Sequence, residues 1–293
     1  MHVLSVSSLK GGVGKTTVAL GLASAAYARS LRTLVVDLDS QCDASTGLGV
    51  TESLGTTVLD VLKNPRHTVV HNAIVASTWA RNRLGNIDVM VGDPRIQALD
   101  DSAPDLKDIW KLEEALSLVE NEYDLVIIDT HPSLNGLTRT AWAASDRVLV
   151  VTEPGIFSVG SVGRTVQAVD ELSSQVNHRL GVVGIVVNRV QPNFDEHQYR
   201  LQELSEQFPD LLMTTALNDH AAVQQAQGAA RAIHSWPGTA AAELSDKFDE
   251  LLSNIQDDAK NRPARRSRDR HNKFSSGKAK RASWFRRTKE DRD

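Results

Sequence analysis

The order of apolar and polar residues along the chain separates strand-like runs from helical stretches. "HVLSVSS", "RTLVVDLD" (32–39), "IDVMVG" (87–92), "DLVIIDT" (124–130), "RVLVVTEP" (147–154) and "GVVGIVVNR" (181–189) are apolar without alternation. That is the pattern of strands buried on both faces. "KTTVALGLASAAYARS" has the Ala and Leu content of a helix, and "LKDIWKLEEALSLVENEY" (106–123) places apolar residues at 109, 112, 116 and 119, a one-sided helix. "TTVLDVLKN" reads as a short helix inside a mixed stretch, 40–86. "FSVGSVGRTVQAVDELSSQV", "DEHQYRLQELSEQF" and "GTAAAELSDKFDELLSNI" read as helices, with a weaker strand, "DLLMTT", between the last two. Strands alternating with helices predict an α/β fold: a mostly parallel, twisted sheet with helices on both faces. Apolar periodicity stops near residue 258, so the expected organisation is a domain over 1–257 and a basic, disordered tail over 258–293.

Charge sharpens that division. The net charge is −4, yet Lys260 to Asp293 holds 14 Lys/Arg against 4 Asp/Glu, which leaves 19 basic and 33 acidic residues in 1–259. An acidic body with a basic tail is a statement about partners. No apolar run approaches the ~20 residues of a bilayer span, and "MHVLSVSS" lacks the features of a signal peptide. A single cysteine, Cys42, excludes an internal disulfide and a multi-cysteine metal site. The expected location is cytoplasmic.

Chemistry concentrates at "LKGGVGKTT", between the first strand and the first helix. Gly11, Gly12 and Gly14, around Val13, let backbone N–H groups turn inward on phosphate oxygens, and the helix N-terminus adds partial positive charge. Lys15 is expected on the β- and γ-phosphates, the Thr16 hydroxyl on Mg²⁺, and Thr17 on an α-phosphate oxygen. Ligands of parallel sheets lie at the carboxyl ends of strands, where the chain has Asp37, Asp39 and Asp129. Asp129 follows four apolar residues, as a Walker B aspartate does, and is expected to hold Mg²⁺ through a water. Asp37 and Asp39, two residues apart in extended backbone, project to one face. A turn-capping role for Asp37 remains the alternative.

K-G-G-V-G-K-T-T resembles the deviant Walker A motif of the ParA/MinD ATPases, and the likeness extends over about residues 1–256. The resemblance implies ATP and Mg²⁺ as cofactors and a homodimer formed on ATP, in which Lys10 reaches the nucleotide of the second subunit. It further implies that Asp39 orients the attacking water, that Asp37 supports the Mg²⁺ shell, and that Asn188 contacts adenine. Non-specific DNA binding, association with the nucleoid in the ATP state and stimulation by a ParB-like protein belong to the same implication, in the service of chromosome, plasmid or cargo positioning. Arg189, Arg200 and Arg231 are the DNA-binding candidates in the folded domain, and Arg265 and Arg266 those in the tail. Because the first strand opens the chain, no helix-turn-helix extension is expected. Three departures stand out: Ser40 in place of proline, Cys42 in place of glycine, and His131 in place of proline in "DTHPSLNGL". His131 reads as a switch-loop variant or a general base. The other histidines, among them His67 and His71, read as surface residues.

Two further function classes stay open at this level. One is a membrane-cycling ATPase of the MinD kind, disfavoured because Phe274, Ala279, Ala282, Trp284 and Phe285 form no apolar stripe. The other is a nucleotide-switched regulator with negligible turnover. The tail itself reads as a nucleic-acid arm or as a solvated extension.

Overall fold

Seven strands form one sheet in the order β3-β4-β2-β5-β1-β6-β7. The computed structural model describes residues 1–50, 55–79, 87–100 and 104–261. The strands are β1 (His2–Ser7), β2 (Thr33–Leu38), β3 (Ile74–Ala76), β4 (Ile87–Met90), β5 (Leu125–Thr130), β6 (Arg147–Thr152) and β7 (Val182–Val187). Every pairing is parallel except β3 with β4. All six expected strand runs are present, and each is continuous in apolar character because the sheet is covered twice. Leu34, Val36, Val126, Ile128, Val148 and Val150 enter one core, while Val35, Leu125, Ile127, Leu149 and Val151 enter the other. The two-residue period is there, hidden by burial on both sides.

The second core is closed by α1 (Lys15–Ala28) and α11 (Thr239–Lys260), through Val18, Leu22, Phe248 and Leu251. The first takes α3 (Val58–Lys63), α6 (Lys111–Ser117), α7 (Gly136–Ala144) and α8 (Ser158–Gln175), with Trp142 fully buried among them. Shorter helices α2 (Asp43–Gly47), α4 (His67–Asn72), α5 (Leu106–Ile109) and α10 (Ala221–Gly228), and the longer α9 (Asp195–Gln207), complete the described elements apart from short 3₁₀ turns.

Two expectations change. The helix expected over 106–123 is two pieces, α5 and α6, meeting at Trp110, with the remainder in turns. Its stripe was sound, since Ile109, Leu112, Leu116 and Val119 are all buried. "DLLMTT" is not a strand: it makes one parallel bridge, Ile185 to Leu212, held by Ile185 N–H on Leu211 O and Met213 N–H on Ile185 O. The chain divides into a compact unit, Met1–Ile255, and a second, Gln256–Asp293. Of the latter the described part, through Asn261, carries the end of α11, so that helix crosses the boundary expected at 258. The expected disorder of the tail, with Arg265 and Arg266, lies outside the described residues.

Candidate nucleotide-binding site

β1 lies between β5 and β6, and β2 lies beyond β5, so the loop after β1 opens beside the carboxyl ends of all of them. This is the crevice where open α/β sheets take ligands. Gly12 (φ 80°) and Gly14 (φ 91°) hold left-handed backbone, and Gly14 is the N-cap of α1. A Cβ on Gly14 would stand 2.2 Å from Asn188 Nδ2, because the Asn188 amide donates to Val13 O at 2.8 Å. The end of β7 therefore braces the loop from beneath. Lys15 is buried, and Gly11 and Gly12 are exposed at the rim.

The β2–β5 register sets Asp37 directly beside Asp129. Both carboxylates are fully buried. Thr16 Oγ1 donates to Asp129 Oδ2 at 2.7 Å, while Asp129 Oδ1 is buried with no hydrogen-bond partner. Asp37 Oδ2 accepts from Ser45 N (2.8 Å) and Ser45 Oγ (2.7 Å), so it ties the start of α2 to the sheet. The turn-capping alternative for Asp37 thus describes part of what it does. Burial is the main cause that raises both carboxyls above their ordinary range; the neighbouring Asp37 charge adds to it at Asp129, against the opposing pull of Thr16 and Lys15.

A carboxyl raised on folding keeps a proton that the unfolded chain releases, so stability is fully present in acid and declines as pH rises above the usual carboxylate range. Asp129→Asn removes the buried charge and leaves Thr16 an acceptor. Without nucleotide or metal, the variant is expected to gain roughly 3 kcal/mol on wild type between pH 5.5 and 8, because Asp129, raised to about 8, keeps one proton more than the unfolded chain over that range, at about 1.4 kcal/mol per pH unit. Parallel denaturant melts at the two pH values measure it; equal slopes for both proteins would contradict the assignment.

Asp39, just past β2, is nearly buried. Its Oδ1 accepts from Gln41 N at 3.1 Å and lies 3.3 Å from His131 Nδ1. Lys10 stands at the rim, with its ammonium in an ion pair with Glu153, just past β6. Both side chains are partly exposed, a setting in which such pairs contribute about 0–1 kcal/mol and exchange readily. A lysine outside the loop, a buried lysine within it, and an orphaned carboxylate oxygen beside a hydroxyl are the groups that a triphosphate and a hard cation would need. Among the described residues no group of three or more His, Cys, Asp or Glu could hold a metal unaided. Magnesium is commonly held by one or two carboxylates plus substrate phosphates.

The family model described as "AAA domain" matches residues 1–182. The chromosome partitioning protein ParA of Caulobacter vibrioides is 31% identical over 191 residues, 64% of this chain and 69% of that protein. The chain belongs to the ParA/MinD family. Its fold is shared with an ATP complex of a Cyanothece McdA variant (TM-score 0.74, 19% identity, 87% of this chain and 96% of that one). It is shared too with Mycobacterium smegmatis cobyrinic acid a,c-diamide synthase bound to ADP and magnesium (TM-score 0.70, 21% identity, 87% and 95%).

The departures from the ParA pattern now have positions. Cys42, in the place of a ParA glycine, holds left-handed backbone (φ 56°), a strain of about 1–2 kcal/mol that glycine escapes. Burial, then the charges of Asp37, Asp93, Asp39 and Asp43, push its thiol up to about 12. The reactive thiolate is therefore suppressed at neutral pH. Ser40, in the place of a ParA proline, carries a buried hydroxyl with no partner.

Just past β7, Val190 bridges Asn218, and the two segments line a cleft of about 550 Å³ with Gln191, Pro192, Asn193, Phe194, Asp219 and His220. "ALNDHAAV" thus comes to the same place as the loop after β7 although it lacks the ParA proline. Of the arginines, Arg189 is exposed with φ 58°. Arg200 is ion-paired with both Glu196 and Glu203 (2.8 Å each), and Arg231 donates to Ser235 O and lies over Trp236. His67 and His71 stack at 4.0 Å, and His71 pairs with Glu122.

Sequence reasoning missed Glu153 and Ser45. A carboxylate just beyond a buried strand run was the available signal for Glu153. For Ser45, eight residues downstream of Asp37, there was none.

Proposed function

We propose that this chain is an ATPase that binds MgATP on residues 10–17, pairs with a second copy across the bound nucleotides, and uses hydrolysis to reset a DNA-bound state for chromosome, plasmid or cargo positioning. The observation that carries the reading is the orphaned Asp129 Oδ1 beside the Thr16 hydroxyl and buried Lys15, one buried carboxylate oxygen left without a partner while the other accepts from Thr16. Thr16, Asp129 and Asp37 would hold Mg²⁺, which when bound supplies neutralising charge to the β- and γ-phosphates. Backbone N–H groups of Gly11, Gly12, Val13 and Gly14 and the Lys15 ammonium bind the phosphates, with Thr17 beside them. Asn188 holds the loop by its amide, two residues before Val190 of the cleft that would take the base. Asp39 positions water, and Lys10 exchanges Glu153 for a phosphate of the facing subunit, a cation supplied from outside as arginine fingers are.

Arg200 is already neutralised by two glutamates, so DNA contact falls mainly to Arg189, Arg231 and the basic tail with Arg265 and Arg266. A ParB-like protein would act on the paired state. Among the described residues no helix is long and apolar enough to cross a membrane. Steady-state hydrolysis by the full chain, with and without duplex DNA, tests the reading. Magnesium-dependent turnover that vanishes in Asp39→Ala supports it; no turnover under any of these conditions contradicts it.

A further inference from the structure

The ParA-type proline that His131 replaces has no side-chain hydrogen to give, and the replacement sits against the residue proposed to handle water. We infer that His131 is a positioning residue for hydrolysis: its Nδ1–H holds Asp39 in one rotamer and leaves Asp39 Oδ2 as the acceptor for the attacking water. The inference rests on the reading of the site as an ATPase and goes beyond it.

Three observations carry it. Ionised Asp39 can only accept, so at 3.3 Å His131 Nδ1 is the donor. The other donor to Asp39, Gln41 N, takes the same oxygen, Oδ1, so both restraints converge on one side of the carboxylate. The histidine is itself fixed, because its carbonyl accepts from Thr138 Oγ1 (3.1 Å) and Ser133 N (2.9 Å), at the start of α7 and in the loop before it. The contact therefore links the loop after β2, with Asp39, to the loop after β5, two residues beyond Asp129. A carboxylate on a loop end has free torsions, and a water is activated only when the acceptor is held within a few tenths of an ångström. His131 supplies the tether from a neighbouring strand end.

Asparagine carries an N–H donor on Cγ, where histidine carries Nδ1; leucine is of comparable bulk with no donor. Steady-state ATPase of the full chain is compared for wild type, His131→Leu, His131→Asn and Asp39→Ala, with His131→Ala replacing the leucine variant if that fails to fold. For His131→Leu, kcat is expected to fall about tenfold, the worth of one hydrogen bond to a charged group, with KM for MgATP within about twofold. His131→Asn should recover to within about threefold of wild type, and Asp39→Ala, which removes the acceptor itself, should lie below His131→Leu. A leucine variant as fast as wild type, an asparagine variant as slow as leucine, or a change in KM alone overturns the inference and leaves the ATPase reading standing. Absent turnover in wild type overturns that reading, and the inference with it.

Discussion

Gly14→Ala is expected to weaken MgATP binding by about a hundredfold or more while leaving the chain folded. Two costs add. An alanine at φ 91° carries the left-handed penalty of roughly 1–2 kcal/mol. Its Cβ, 2.2 Å from Asn188 Nδ2, must also displace an amide whose bond to Val13 O holds the loop, a further loss of about 1 kcal/mol. Both fall on the four residues whose N–H groups must converge on phosphate, so most of the loss appears as affinity, near tenfold for each 1.4 kcal/mol. Titration with a fluorescent ADP analogue measures it, and circular dichroism confirms the fold. An affinity within about threefold of wild type would contradict the cradle assigned to residues 11–17.

Lys10→Ala is expected to do the reverse: bind nucleotide nearly as wild type does, yet lose turnover by about 10³-fold, at the lower end of what an externally supplied cation contributes. The ammonium stands at the rim with Glu153, and Lys15, buried inside the loop, is the lysine proposed for the same subunit's phosphates. Removing Lys10 therefore strips little from the binding of one copy's nucleotide. It also frees Glu153, whose uncompensated charge would then face the approaching partner. Single-turnover hydrolysis and equilibrium binding, measured on the same preparation, separate the two effects. If Lys10→Ala cleaves ATP at the wild-type rate, the role assigned to it across the interface is wrong.

Much of the fold is legible because its information is local. β2, β5 and β6 read directly as apolar runs, and α8 and α9 as helices. Where the runs gave nothing, burial or length is the reason. Gly136–Ala144 is buried almost throughout, Thr138 and Thr140 included, so α7 lacks the polar face from which a helix is read. Ile74–Ala76 is three residues at the sheet edge, defined by its antiparallel partner β4 rather than by its own pattern. In α10 only Ala226 is buried, and no stripe exists to detect.

The site divides the same way. Lys10 through Thr17 is a contiguous motif, and the aspartates close strands. The Asp37–Asp129 juxtaposition, however, is a matter of register between β2 and β5, and the His131–Asp39 contact joins two loops 92 positions apart. A residue pattern records which groups are available; which of them meet is decided by the sheet.

Pairing of two copies over bound ATP is the claim on which the rest depends. Sedimentation equilibrium of the Asp39→Ala variant at saturating MgATP tests it most directly, since hydrolysis no longer empties the paired state. The account predicts twice the chain mass with ATP and a single chain with ADP. A single chain in both would contradict it.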